Sequence, residues 1–181
     1  NRWSEQQAHW IDILNEQVDR LDHLIMTLLD WKSLAEQDEE VDVTVGRLDE
    51  VVHDFFDERK PGVTAELRNL SLKVAADLPP ARFNRERVLQ ILDVLLDNAQ
   101  KFTPQGTHIV MKLGLEGTRI VLRVSDDGPG IPADRLDAIF ESFRQVESTL
   151  TRTRGGMGIG LAVARTLAER MGGQLNAESV V

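Results

Sequence analysis

Two stretches of this chain carry a large apolar residue at every second position, and that alternation limits the fold more than any other feature. Residues 109–115 put Ile109, Met111, Leu113 and Leu115 on one side, and residues 120–126 do the same with Ile120, Leu122 and Val124. Successive strand residues point to opposite faces of a sheet, so both stretches predict strands with one buried and one solvated face. A strand covered on both faces would be apolar throughout. The expected fold is therefore α+β: a two-layer α/β sandwich, a mixed sheet covered by helices on one face only. Asp126 falls on the apolar side, an inward carboxylate placed just where the chain turns into Asp127-Gly128-Pro129-Gly130. Burying such a group without a partner is costly, and a bound ligand that offers an N–H donor would satisfy it.

The remaining segments supply the layers. Residues 70, 72, 74 and 76 alternate as a further half-buried strand, a short strand is expected over residues 41–45, and a last one from Leu175. Helices are expected over residues 48–58, ended by Lys60-Pro61-Gly62; from the cap Asn84 to about Phe102; after Pro132; and over residues 158–171, stopped by Gly172-Gly173. In the second of these, Val88, Leu92, Leu95, Ala99 and Phe102 form a stripe that predicts the core face. Ahead of this domain, residues 3–36 carry Leu14, Val18, Leu21, Ile25 and Leu28 at alternating steps of four and three, the seam of a coiled coil or bundle. Leu24 and Trp31 widen that seam, so this long helix is expected to pack on another helix or another chain, and the acidic run at residues 36–40 marks a boundary. The expected division is a helical segment over 1–40 and a globular domain over 41–181.

The bulk composition excludes several classes. With 181 residues, 41% of them hydrophobic, and no run long enough to cross a bilayer, the chain reads as globular and soluble. A formal charge of -9 argues against a nucleic-acid or anionic-membrane surface. The absence of cysteine removes disulfides and thiolate metal sites and suits a reducing compartment. The sequence begins inside one helical pattern and stops inside a strand-like one, so a piece of a longer protein is expected.

Three segments carry chemistry. Val94, Asn98 and Lys101 follow one another by four and three residues along one edge of a helix, where the Asn98 carbonyl suits Mg²⁺ and Lys101 suits phosphate charge. Gly128 and Gly130 let the backbone turn sharply and approach a flat ligand beside Asp126. The run Gly155-Gly156-Met157-Gly158-Ile159-Gly160-Leu161 leads into a helix whose N-terminus offers backbone N–H groups to phosphate. It is neither a P-loop, which needs Gly-Lys-Ser/Thr, nor a dinucleotide fingerprint.

In this order the three segments resemble the ATP-binding catalytic domain of sensor histidine kinases, especially hybrid ones, in the wider family of gyrase, Hsp90 and MutL-type ATPases. Residues 97–104 are similar to the N box, 126–131 to the G1 box, 140–143 to the F box and 156–161 to the G2 box, with residues 144–156 as the lid. The resemblance implies ATP and Mg²⁺ as cofactors. It implies that Asp126 binds the adenine amino group, that Asn98 ligates Mg²⁺, and that Lys101 and Arg152 face the phosphates as catalytic groups. It further implies that Phe140 and Phe143 anchor the lid, and that Gly128, Gly130, Ile131, Gly156, Gly158, Gly160 and Leu161 complete the nucleotide site. The same resemblance makes the N-terminal segment the second helix of a dimerisation and phosphotransfer hairpin, pairing in a homodimer or heterodimer. It also implies a response regulator or receiver domain as partner and a cytoplasmic location, with any membrane anchor in further parts of the protein. None of His9, His23, His53 and His108 fits the phosphoacceptor motif, which is expected on a preceding helix.

Two positions depart from the family. Val94 stands where the family usually has Asn or Glu, and valine can neither orient a water nor accept a hydrogen bond. Arg154 replaces an aromatic residue common in the lids of hybrid kinases. The alternative that Val94 leaves open is a degenerate kinase that regulates another kinase by pairing helices with it.

Overall fold

The computed structural model describes Trp10, Leu14, Val18 and residues 41–65, 68–142 and 158–180. Its contacts group the chain into two units, Asn1–Asp38 and Glu39–Val181. In the first unit Trp10, Leu14 and Val18 are helical and exposed. Four-residue spacing puts all three on one helical face. Leu21, Leu24, Ile25, Leu28 and Trp31 of the expected seam lie outside the described residues, as do residues 36–40.

The second unit runs β1 (Thr44–Gly46), α1 (Leu48–Ala65), β2 (Asn69–Val74), β3 (Ala81–Phe83), α2 (Arg85–Phe102), β4 (His108–Glu116), β5 (Arg119–Asp126), two 3-10 turns (Ala133–Arg135 and Ala138–Phe140) and α3 (Gly160–Arg170). The main sheet has the order β2-β4-β5, parallel between β2 and β4 and antiparallel between β4 and β5, while β1 and β3 form an antiparallel pair. Register puts Leu70, Ile109 and Asp126 in one row across the sheet, Leu72, Met111 and Val124 in the next, and Val74, Leu113 and Leu122 in a third. Ile109, Met111 and Leu113 are fully buried there, each worth about 1.5–3 kcal/mol against exposure. Lys73, Lys112 and Arg123, on the opposite face, are exposed. One face is thus covered and the other solvated, as the alternation requires.

The helical layer comes from α1 through Val51, Val52, Phe55 and Val63, and from α2 through Val88, Leu92, Leu96 and Ala99. In α2 the buried row includes Leu96, not Leu95, and Phe102 is 39% exposed. Val88, Leu92 and Ala99 of the expected stripe are buried, so the difference is confined to Leu95 and the last turn. The expectation that Lys60-Pro61-Gly62 ends α1 is also overturned: α1 continues through Pro61 to Ala65. Proline removes one helical N–H, but Asp57, whose carbonyl loses it, is exposed to water, and burial of Val63 draws the last turn inward.

Elsewhere the segment after Pro132 forms two 3-10 turns in place of the expected helix. So short a segment gains little from helical bonds alone, and its contacts decide. The strand expected from Leu175 is absent, since residues 174–180 join neither sheet. There the Ser179 hydroxyl accepts the Ile131 N–H at 2.8 Å, a side-chain bond where a ladder was expected. Helix α3 ends as predicted: Gly172 at φ 79° and Gly173 turn their N–H groups back to Glu169 and Ala168.

Candidate nucleotide-binding site

Helix α2 presents the first group of site residues, and its position follows from its cap. The Asn84 side chain accepts the Arg87 N–H at 3.1 Å and donates to the Asp42 carbonyl at 2.9 Å, which fixes where the helix starts. Nearly four turns later the half-buried amide of Asn98 has no side-chain hydrogen bond among the described residues. Lys101 is paired with Asp97 one turn back on the same helix.

The end of β5 lies beside the end of α2. Asp126 has the parity expected of it, in register with buried Ile109, but its carboxylate is exposed and not buried. The reason is positional: Asp126 is the last residue of its strand, beyond the reach of the helical cover, so water solvates it. Its Oδ1 accepts the Gly128 N–H at 2.8 Å, leaving Oδ2 without a partner among the described residues. The neighbouring Asp127 has a different task, with Oδ2 accepting the His108 N–H at 3.1 Å and so joining the turn to the start of β4. A Cβ on Gly128 would meet Asp126 Oδ1 at 2.5 Å and the Phe102 carbonyl at 3.4 Å. Only glycine lets this turn lie so close to both its own acid and the end of α2. Gly130 follows at φ 77°, and Ile131 is held by Ser179.

The glycine-rich segment closes on α2 from the other side. Gly158 is at φ 68°, and a Cβ on Gly160, the first residue of α3, would stand 3.3 Å from Val94 Cγ1. The N-terminus of α3 therefore sits one helical turn ahead of Asn98. Half-buried Leu161 follows Gly160 in the first turn of α3. Phe140 is held against α3 by the Arg165 guanidinium, 4.9 Å from the ring centroid. Phe143, Arg152 and Gly156, with the rest of the expected lid, lie outside the described residues.

Two contributors had no signal in the sequence. Arg165 looks like any solvent-facing helical arginine, and Arg68, whose guanidinium bonds the Thr103 carbonyl, precedes β2 with no motif around it. A separate open cleft of about 450 Å³ between α1 and the end of β2, lined by Asp49, Phe56, Leu72, Val74 and Asp77 among others, contains none of the expected site residues. No group of three or more metal-ligating acids or histidines occurs among the described residues.

A mixed sheet under one helical layer, with an acidic strand end, an amide-bearing helix and a glycine-rich helix start brought together at one edge, defines the class of a two-layer nucleotide-binding ATPase domain. The chain belongs to the histidine kinase-, DNA gyrase B-, and HSP90-like ATPase family, whose model matches residues 83–181. It is 32% identical to the circadian input-output histidine kinase CikA of Synechococcus elongatus over 190 residues, covering 99% of this chain and 25% of that protein. It is 33% identical to the autoinducer 2 sensor kinase/phosphatase LuxQ of Vibrio cholerae over 182 residues, covering 97% and 21%. The chain thus spans about a quarter of the length of these curated relatives. The crystal structure of full-length ShkA in complex with AMPPNP has the same fold, with a TM-score of 0.77 at 24% identity over 99% of this chain and 38% of that one.

Proposed function

We propose that this chain is the ATP-binding catalytic part of a sensor histidine kinase of a two-component system, directing the γ-phosphoryl group of Mg-ATP to a histidine on another helix. One observation carries the reading. The glycine-rich start of α3 and the Asp126–Gly128 turn both approach α2 closely, at Val94 and at Phe102, on either side of Asn98.

The donor set fits such a ligand. Asp126 offers a carboxylate oxygen to an exocyclic amino group and keeps its orientation through the Gly128 N–H. Asn98 offers a carbonyl oxygen to a hard cation, Lys101 balances phosphate charge, and the α3 N-terminus contributes backbone N–H groups. The resemblance assigns Phe140 and Phe143 to the lid and Arg152 to the phosphates, with Phe143 and Arg152 outside the described residues. Mg-ATP, when bound, supplies the transferable phosphoryl group, and the protein contributes mainly positioning and charge neutralisation. Residues 1–40 serve as one helix of a dimerisation hairpin, joined in a homodimer or heterodimer, and residues 41–181 as the catalytic domain. The partner downstream is a response regulator or receiver domain. The kinase named among the relatives favours this activity over a purely regulatory role. No helix among the described residues is long and apolar enough to cross a membrane. We place the domain in the cytoplasm, with any anchor in other parts of the protein.

The test restores a preceding helix with its phosphoacceptor histidine and measures Mg-ATP binding and histidine phosphorylation, with Val94→Asn in parallel. Binding and transfer in the unaltered protein are expected. Absence of nucleotide binding overturns the reading, and binding with transfer only in Val94→Asn assigns the natural chain to regulation.

A further inference from the structure

A buried arginine stands just ahead of β2. Arg68 is 4% exposed, and both its Nε and Nη2 donate to the carbonyl of Thr103, at 3.3 and 3.1 Å. Thr103 is the C-cap of α2 and is fully buried, with its own N–H on the Ala99 carbonyl. The last carbonyls of a helix lack internal donors and carry partial negative charge, so a guanidinium fork is a strong cap. It is also a costly one, since glycine or water ends most helices without desolvating a cation.

The tie lies at the start of the loop 103–107. The next residue along, Asn69, donates its N–H to the Thr107 carbonyl at 3.0 Å. Consecutive residues 68 and 69 thus clamp both ends of the loop 103–107, which is drawn in further by the Thr107 hydroxyl on the Pro104 carbonyl at 2.6 Å. On the other side of Thr103, the Phe102 carbonyl lies against Gly128, whose N–H orients Asp126. An unbroken series of contacts runs from Arg68 through Thr103, Phe102 and Gly128 to Asp126.

We infer that Arg68 is a positioning residue for the base end of the nucleotide site: it fixes the end of α2 against the Asp126–Gly128 turn and so sets the depth at which a purine meets Asp126. The inference rests on the nucleotide reading above, and its test separates the two. Arg68→Lys keeps the charge but not the fork, and Arg68→Gln keeps a donor but not the charge. Both are compared with the unaltered chain by thermal melting, by backbone amide chemical shifts without nucleotide, and by affinity for ATP, ADP and GTP. In a folded variant the Gly128 amide signal is expected to move while those of Ala164 and Leu167 in α3 do not. Affinity for ATP and ADP should fall equally, by about tenfold, with a smaller preference over GTP. An unmoved Gly128 signal, an unchanged adenine preference, or failure of both variants to fold reduces Arg68 to a core strut and overturns the inference. If the unaltered chain binds no adenine nucleotide, the proposed function fails, and the Gly128 signal alone decides the tie.

Discussion

Gly160 meets Val94 across the contact between α2 and α3: a Cβ at residue 160 would lie 3.3 Å from Val94 Cγ1 and 3.9 Å from Cγ2. This contact sets the distance between the start of α3 and the helix that carries Asn98. It also gives Val94 a packing role at a position where the family usually has a polar side chain.

Gly160→Ala tests that contact. Alanine favours the helix intrinsically, but valine is stiff at χ1 and cannot swing aside. The expected outcome is a net loss of about 1 kcal/mol, read from urea denaturation. Val94→Ala should relieve it, giving a coupling energy of at least about 0.5 kcal/mol in the double-mutant cycle. Strict additivity would show that the two residues do not press on each other.

Asp126→Asn should separate binding from folding. The residue is exposed, and asparagine retains an oxygen for the Gly128 N–H, so the melting temperature should stay within about 2 °C. Affinity for Mg-ATP is expected to fall roughly tenfold to hundredfold, the scale of one hydrogen bond to a charged group. Gly128→Ala should weaken binding similarly, because its Cβ would displace the Asp126 carboxylate. Titration calorimetry reads both, and unchanged affinity in the pair would remove Asp126 from the site.

Asn84→Ala is expected to cost about 1–2 kcal/mol, measured from the denaturation midpoint. It removes the cap on the Arg87 N–H and the tether to the Asp42 carbonyl together. Asn84→Asp keeps the first and loses the second, so it should cost less. Equal losses in the two variants would mean that the tether, not the cap, carries the effect.

The hairpin pair Glu116 and Arg123 predicts a pH dependence. Arg123 hydrogen-bonds Glu116 and adds its charge, which holds the Glu116 carboxyl below the usual carboxylate range. A group with a lowered folded-state pKa stabilises the fold above its unfolded value and ceases to do so as pH falls through the folded one. Both side chains are solvent-exposed, so Glu116→Gln should lower the melting temperature at pH 7 by no more than about 1–2 °C. Once the pH lies below the lowered folded-state value of Glu116, the two proteins should melt together. A difference that grew on acidification would contradict the assignment.

The sequence by itself determined what is local. Period-two alternation set β4 and β5 and the side on which Asp126 lies, and Asn84 with the stripe behind it set α2 from its cap to Phe102. Several glycines that φ or close approach demands, among them Gly128, Gly130, Gly158 and Gly172, were visible as turn and helix-end signals. Only the tertiary structure decided how far the helical layer reaches. Periodicity gives the parity of a side chain but not the edge of its cover, so Asp126 was expected to be buried and is exposed, and Leu96 took the place expected of Leu95. Pro61 likewise ends a helix only where nothing beyond it is worth burying, and Val63 is. Arg68 and Thr103 are 35 residues apart, and a bond across that distance leaves no pattern in the sequence around either partner. The backbone's local preferences place each element; burial of surface and pairing of polar groups between distant segments place the elements against one another, and the candidate site lies where they meet.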